Sequence, residues 1–285
     1  MSWLLLDAGN SALKWALVPS AGALWPEGAA PAGAPPSHHR GAVAIDAPEL
    51  AAELARACAL SATVGGAALP GLVLGCAVAS VEAVARIDAA LLAAGAGPAL
   101  WLRAGASYAH EGIVLRSAYR DPTQLGADRW HALIGARARF ARGPLALVSA
   151  GTATTIDGVQ ADGMFCGGII APGVDLMRDS LARGTARLPL AAGDYVPHPD
   201  NTDDAIRTGI LDAQLGLIER RIRRIREMAG APPQVVVAGG NGAALATLLQ
   251  RQGGYGAVAL EPDLVLRGLW HRGRAHVAAA LAPPL

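Results

Sequence analysis

The sequence predicts an α/β protein of two duplicated domains facing each other across a cleft, on three observations. A buried apolar strand runs into a glycine turn at Leu4-Leu5-Leu6-Asp7-Ala8-Gly9-Asn10. A strand and turn of the same build recurs at Ala146-Leu147-Val148-Ser149-Ala150-Gly151-Thr152, with Gly9 and Gly151 142 residues apart in a chain of 285. Each unit is followed by alternating strands and helices, and self-similarity over half the chain is a mark of architecture rather than of chance turn chemistry.

The elements follow in order from the apolar pattern. Strands are expected at 3–7 and 12–18, the second from Leu13, Trp15, Leu17 and Val18 returning after the turn. The Pro/Gly/Ala stretch from Pro19 to Pro36 reads as a loop or a poorly paired third strand. A helix at 48–60, a strand at 72–78, a helix at 80–94 and a strand at 99–103 complete the first half. The second half repeats the theme, with strands at 145–150, 153–158, 164–170, 234–238 and 257–260 and helices at 172–183, 203–228 and 242–252. In the long helix Leu215, Ile218, Ile222 and Ile225 fall at helical spacing, so Arg220, Arg221, Arg223, Arg224 and Arg226 read as its solvated face rather than a polyanion site. The domain boundary is placed between 118 and 119, giving domains 1–118 and 119–285.

Charge narrows the class of partner. With 24 basic and 23 acidic residues, no global field recruits nucleic acid or an anionic membrane, and a small molecule is the expected ligand. Cys58, Cys76 and Cys166 are odd in number and unpaired in spacing, which argues against a disulfide framework or zinc site and for a reducing, cytoplasmic setting. The N-terminus has no basic leader, and the longest uncharged apolar stretch, Ala89 to Leu102, is interrupted by Gly95, Gly97 and Pro98 and is too short to span a bilayer. A soluble protein is expected. His38 and His39 sit in a Pro/Gly loop without partners for a metal, and Trp15, Trp101 and Trp130 read as core or interface aromatics.

One lysine stands against 23 arginines, and it is Lys14, just past the first turn. Glycine there lets backbone N–H groups approach an anion, and Asn10 and Ser11 add side-chain donors. The Asp7 carboxylate suits Mg²⁺, which keeps oxygen ligands and bridges protein to phosphate, and Lys14 supplies a mobile positive charge. The bland alternative is a common Asp-x-Gly hairpin with a solvated lysine. The second unit, Gly151-Thr152-Ala153-Thr154-Thr155-Ile156-Asp157, reads as a second phosphate clamp or as a hairpin of strand-favouring threonines. Val235-Val236-Val237-Ala238-Gly239-Gly240-Asn241-Gly242 departs from the dinucleotide fingerprint and reads as a platform under an adenine or ribose. Two phosphate turns and a late glycine pair make one nucleotide site between the domains.

These residues resemble the superfamily of acetate and sugar kinases, heat-shock chaperones and actin, whose paired ribonuclease-H-like domains grip ATP. The match narrows at Tyr119-Arg120-Asp121-Pro122 and Gly126-Ala127-Asp128-Arg129, at Phe165-Cys166-Gly167-Gly168-Ile169-Ile170-Ala171-Pro172-Gly173, at Thr185-Ala186-Arg187-Leu188-Pro189, and at Asn201-Thr202-Asp203-Asp204-Ala205 with Gly209. In that order they resemble the type III pantothenate kinases. The resemblance implies two ribonuclease-H-like (actin-like ATPase) domains with an interdomain nucleotide cleft, and ATP-dependent phosphorylation of the primary hydroxyl of pantothenate, the first step toward coenzyme A. It implies ATP contacts from Asp7, Ala8, Gly9, Asn10, Ser11, Ala12, Leu13, Lys14 and Thr152, with Mg²⁺ held at Asp7 through phosphate. It implies pantothenate contacts from Tyr119, Gly126, Ala127, Asp128, Arg129 and Thr202, with Asp128 as catalytic base, and a homodimer. Arg129 is the first candidate to meet the pantothenate carboxylate.

One departure is plain. The family places an aspartate that ligates K⁺ or NH₄⁺ where this chain has Ser149, so the monovalent-cation requirement is in doubt here. The competing functions are another small-alcohol or sugar kinase of the superfamily, against which the Gly126 to Arg129 segment weighs, and a non-catalytic nucleotide-binding regulator, against which Asp7, Lys14 and Asp128 weigh.

Overall fold

The computed structural model describes residues 1–20, 25 and 38–281. Strands β1 (Ser2–Ala8), β2 (Ala12–Pro19) and β3 (His39–Ala44) form an antiparallel meander. β4 (Leu72–Ala77) pairs with the other edge of β1 in parallel and β5 (Leu100–Trp101) follows it, giving the order β3-β2-β1-β4-β5. The second sheet repeats that plan. Here β6 (Ser107–His110) and β7 (Ile113–Ser117) precede the meander of β8 (Leu145–Ala150), β9 (Ala153–Val159) and β10 (Met164–Pro172), and β11 (Gln234–Ala238) and β12 (Val258–Leu260) run parallel to β8. The order is β12-β11-β8-β9-β10-β7-β6. The half-chain duplication is therefore a duplication of sheet topology, with β6 and β7 added at the β10 edge. The change of sheet falls between Trp101 and Ser107, ahead of the 118/119 boundary read from the sequence.

Alternation along β1 sends its side chains into two cores. Leu4 and Leu6 pack with Leu54 of α1 (Leu50–Ala59) and Ile87 and Leu91 of α3 (Val81–Ala93); α2 (Ser61–Gly65) lies between those helices in the chain. Trp3 and Leu5 face the other way, onto Ala127 of α4 (Ala127–Arg139) and Leu266, Leu269 and Trp270 of α8 (Leu264–Leu281). In the second sheet Val148, Ile156 and Val237 pack under α6 (Thr202–Ala229) and α7 (Gly242–Gln252), while Leu147, Phe165 and Val236 pack against Trp130 and Leu133 of α4. Helix α5 (Val174–Gly184) follows β10. Thus α4 and α8 form the layer between the two sheets.

These two helices approach at backbone distance. A Cβ at Gly268 would lie 1.8 Å from the His131 carbonyl oxygen, and one at Gly135 would lie 2.1 Å from that of Leu264. Neither glycine has positive φ, so the requirement is for space alone.

Several elements were not read from the sequence. Helix α4 buries Arg129, His131 and Arg137 together with its apolar residues, so its periodicity is masked. In α8 the stripe of Leu266, Leu269 and Trp270 is interleaved with Arg267, Gly268, His271 and Arg272. The β6–β7 hairpin turns through Glu111 and Gly112, both at positive φ, a two-residue turn that sequence reading seeks as Asn-Gly or Asp-Gly. Most of the Pro19 to Pro36 stretch lies outside the described residues, and the third strand comes after it, at β3, where burial only alternates between partial and none. His39 therefore begins a strand rather than sitting in a loop, with Nε2 2.9 Å from Thr63 Oγ1. The arginines of α6 sit as expected, Arg220, Arg223, Arg224 and Arg226 exposed over buried Leu215, Ile218, Ile222 and Ile225. Among the described residues no helix is long and apolar enough to cross a membrane.

Two glycine substitutions separate space from propensity. Gly268→Ala should destabilise by about 2–3 kcal/mol through overpacking at α4, whereas Gly216→Ala in α6, whose Cβ meets nothing within 4 Å, should stabilise by about 0.5–1 kcal/mol. Urea unfolding of both variants measures the contrast, and effects of the same sign would contradict it.

Candidate active site

The two hairpin turns meet. The first closes with Gly9 N–H donating to the Ala12 carbonyl at 3.0 Å, the second with Gly151 N–H donating to the Ala153 carbonyl at 3.0 Å. Ser11 Oγ and Thr152 Oγ1, one from each turn, lie 3.0 Å apart. Both side chains are exposed otherwise, so the contact places two hydroxyls and two glycine turns at one opening. The second turn also receives the start of α5. Gly173 N–H donates to the Thr152 carbonyl at 2.9 Å, and a Cβ at Gly173 would lie 2.2 Å from the Gly151 carbonyl oxygen.

Behind the first turn, cross-strand register aligns three residues of different chemistry. Asp7 on β1 stands opposite Lys14 on β2 and Cys76 on β4, with Cys76 Sγ 4.0 Å from Asp7 Oδ1. Burial pushes the Asp7 carboxyl up to about 7, the Lys14 charge pulls it down, and the Asp128 carboxylate adds to the rise. Asp7, Lys14 and Asp128 therefore share one electrostatic environment. Within the expected phosphate segment, Leu13 is core and the Ala8 carbonyl is engaged by the N–H groups of Val78 and Ala79 at 3.0 and 3.3 Å. That leaves Gly9, Asn10, Ser11, half-buried Ala12 and Lys14 to present groups to a ligand.

Asp128 reaches this place because α4 begins against β1 and β4. Ala127 is packed with Leu5, Leu74 and Cys76, which sets the next residue beside Asp7. The helix is capped by Gly126, which has no side chain to offer, and Asp128 Oδ1 accepts from the Arg129 N–H at 2.8 Å. A Cβ at Gly126 would lie 2.5 Å from that oxygen. A carboxylate in the first turn of a helix is favoured by the helix dipole.

Arg129 is almost fully buried and its guanidinium is engaged on two sides. Nε and Nη2 donate to Asp157 Oδ2 and Oδ1 at 3.1 and 2.5 Å, and Nη1 donates to the Tyr119 hydroxyl at 3.1 Å. Tyr119 stacks on Phe165 with centroids 5.5 Å apart, and the guanidinium lies 5.9 Å from each ring. The motif Phe165-Cys166-Gly167-Gly168 makes the room. The β9–β10 register shifts between Phe165 and Gly168, Gly167 has φ +90°, and a Cβ at Gly168 would lie 1.9 Å from Asp157 Oδ1. The Arg129–Asp157 pair is the functional feature that sequence reading missed. An acid inside a strand of threonines was the available signal.

The late glycine pair also reaches the cleft. Gly239, at φ +93°, packs on Ala150, and Asn241 N–H donates to the Ala150 carbonyl at 3.0 Å. Ser149 stands opposite Thr155 and Ala238. Thr202 lies elsewhere: it is the exposed first residue of α6 and lines a groove of about 440 Å³ with Met177, Leu181, Leu188 and Ile206.

A family model of type III pantothenate kinases matches residues 3–224. A type III pantothenate kinase of Laribacter hongkongensis is 41% identical over 271 residues, covering 95% of this chain and 98% of its own. One of Aromatoleum aromaticum is 44% identical over 249 residues, covering 86% and 89%. Among solved structures, a conserved putative Baf family transcriptional activator from Campylobacter jejuni has a TM-score of 0.55 at 17% identity, covering 97% and 99%, a likeness of fold.

The Asp7 environment carries a pH signature. The folded protein holds the Asp7 proton up to about pH 7, while the unfolded chain releases it near 3.8. The native state thus binds more protons in that window, so this group's contribution to stability falls as pH rises through it and is constant above. Unliganded Asp7→Asn should match the native chain in Tm near pH 4 and exceed it at pH 8, by less than the ~4 kcal/mol that a three-unit shift would allow. Thermal unfolding across pH 4–8 checks this, and parallel curves would contradict it.

Proposed function

The chain belongs to the type III pantothenate kinase family, and from that premise we propose how its cleft performs the family's reaction. The enzyme transfers a phosphoryl group from ATP to pantothenate in the first step of coenzyme A biosynthesis. The observation that carries the site reading is the meeting of the two glycine turns through Ser11 and Thr152, with Asp7, Lys14 and Asp128 in one field beside them.

ATP lies between the turns, its phosphates met by backbone N–H groups of Asn10 to Ala12, by the Ser11 and Thr152 hydroxyls and by Lys14. The turn of Gly239 and Gly240 borders the adenosine. Asp7 is the residue that would hold Mg²⁺. Its donor chemistry fits a hard cation, and a cation beside it would offset the burial that raises its carboxyl. Among the described residues no group of three or more His, Cys, Asp or Glu could hold a metal, which suits an ion completed by phosphate and water oxygens. When bound, that ion neutralises phosphate charge and orients the transferred group.

Pantothenate lies against Tyr119, Gly126, Asp128 and Arg129; Ala127, which the resemblance also implied, is packed into the core instead. Asp128 accepts the proton of the primary hydroxyl as that oxygen forms its bond to the γ-phosphorus, and ADP carries away the electron pair of the broken bond. Arg129 serves the pantothenate carboxylate through whatever of its Nη1 edge Tyr119 leaves open, a weaker pull than a free guanidinium because Asp157 already balances its charge. Ile170, Leu176 and Leu190 are exposed, and Met177, Leu181, Leu188 and Ile206 line the Thr202 groove; this apolar surface supports a homodimer in which a second copy covers it. The cytoplasm is the setting proposed for the enzyme.

Two measurements test this reading. Asp128→Asn should lower pantothenate-dependent ADP release at least ~100-fold while nucleotide binding by calorimetry is retained; an unimpaired variant removes Asp128 from the role of base. With Ser149 in place of a carboxylate, K⁺ or NH₄⁺ at constant ionic strength should raise turnover weakly or not at all, and a steep rise would reverse the inference from Ser149.

A further inference from the structure

We propose that Asp157 is the positioning residue of the pantothenate site, acting through Arg129 on Tyr119; the inference rests on the functional reading above. Asp157 is fully buried on β9 and grips Nε and Nη2 of Arg129. The guanidinium is thereby held in one plane, and its remaining Nη1 is aimed at the Tyr119 hydroxyl. Tyr119 lies outside any strand or helix. Its position depends on that hydrogen bond, on stacking against Phe165, and on Ala118 N–H donating to the Phe165 carbonyl at 3.0 Å. Asp128 is the immediate neighbour of Arg129 on α4, so the same grip fixes the first turn of the helix that carries the base.

The surroundings are built for the pair. The bulge turns through Gly167 at φ +90° and gives up the side chain of Gly168 to admit it, since any Cβ at Gly168 collides with Asp157 and lies 2.7 Å from Arg129 Nη2. A buried ion pair is a poor device for stability, because well-packed apolar residues do as well or better. What the pair supplies that apolar packing cannot is an N–H directed at a loop tyrosine from the residue next to the catalytic base. Small misplacements of such groups are costly in binding and rate.

The test is steady-state kinetics of the purified chain with both substrates varied, for Asp157→Asn, Gly168→Ala, Tyr119→Phe and the Asp157→Asn/Tyr119→Phe double variant. Asp157→Asn and Gly168→Ala should each raise KM for pantothenate about tenfold or more while KM for ATP stays within about twofold. Gly168→Ala is the sharper probe, because it leaves every chemical group of the network in place. Tyr119→Phe keeps the stacked ring and should raise the same KM about three- to tenfold, and adding Asp157→Asn to it should cost less than Asp157→Asn costs alone. A pantothenate KM unchanged in Asp157→Asn or Gly168→Ala, equal rises in both KM values, or fully additive effects would overturn the inference. Where neither of those variants accumulates as folded protein, Tyr119→Phe decides: an unmoved KM overturns it and a raised one supports it. A native chain that does not turn over pantothenate would remove the functional reading and this inference together, whereas an active native chain with an unmoved Asp157→Asn removes the inference alone.

Discussion

The structure depends on the close crossing of α4 and α8 at Gly135 and Gly268. These helices are the layer between the two sheets, and their spacing determines where the first turn of α4 sits relative to the ends of β1 and β4. Ala127 packs into the core of the first sheet while Trp130 and Leu133 pack into that of the second. Asp128 rides on a helix anchored in both halves and is brought beside Asp7, which belongs to the first half alone. A larger residue at either glycine would push the helices apart at backbone level, where no rotamer change gives relief. The geometry of the cleft is thus set by packing some distance from the chemistry.

The duplicated turns are alike in topology and unlike in charge. In the first, Asp7 stands opposite Lys14; in the second, Ser149 stands opposite Thr155. The first loop is also one residue longer, closing from Gly9 to Ala12 rather than from Gly151 to Ala153. One jaw therefore carries charges of both signs and the other carries hydroxyls. A phosphate chain between them meets a mobile ammonium on one side and neutral donors on the other. This polarity suits phosphoryl transfer, where the catalytic task is to hold and neutralise charge.

The duplication was legible because β1 and β8 are apolar runs ending in glycine turns, a pattern that local sequence alone carries, whereas β3, with burial that only alternates between partial and none, was sought before Pro36 and begins at His39. The elements that join the halves were not legible. Helix α4 buries two arginines and a histidine, so the hydrophobic period fails where tertiary contacts satisfy polar groups. The close approach of α8 is encoded in single glycines, which sequence reading takes as breakers. At the site, Asp7, Lys14, Asp128 and Thr152 were picked out by motif and position, and the fold sets Asp7, Lys14 and Asp128 in one environment and Thr152 against Ser11. Arg129 was read only as the partner of the pantothenate carboxylate, because Asp157 lies 28 residues away in the chain and pairs with it only once β9 and α4 are packed. Gly167 and Gly168 were recognised as a motif, but the reasons for them are visible only in the structure: the positive φ of the bulge at Gly167 and the space that the ion pair occupies at Gly168.

The singular lysine can now be understood in terms of that crowding. Lys14 lies between Leu13 and Trp15, both fully buried, and across from an acid whose own ionisation is opposed by burial and by Asp128. Lys14 is the cation that β2 sets opposite Asp7, and its charge draws the Asp7 carboxyl back down. An arginine there would present a rigid planar fork, well matched to a stationary carboxylate, as Arg129 is to Asp157. A phosphoryl group that moves between donor and acceptor is better served by a compact ammonium on a flexible stem. On the proposed reading the two cations of the site divide the work accordingly: the guanidinium, engaged by Asp157 and Tyr119, holds a wall in place, and the ammonium follows the charge that moves.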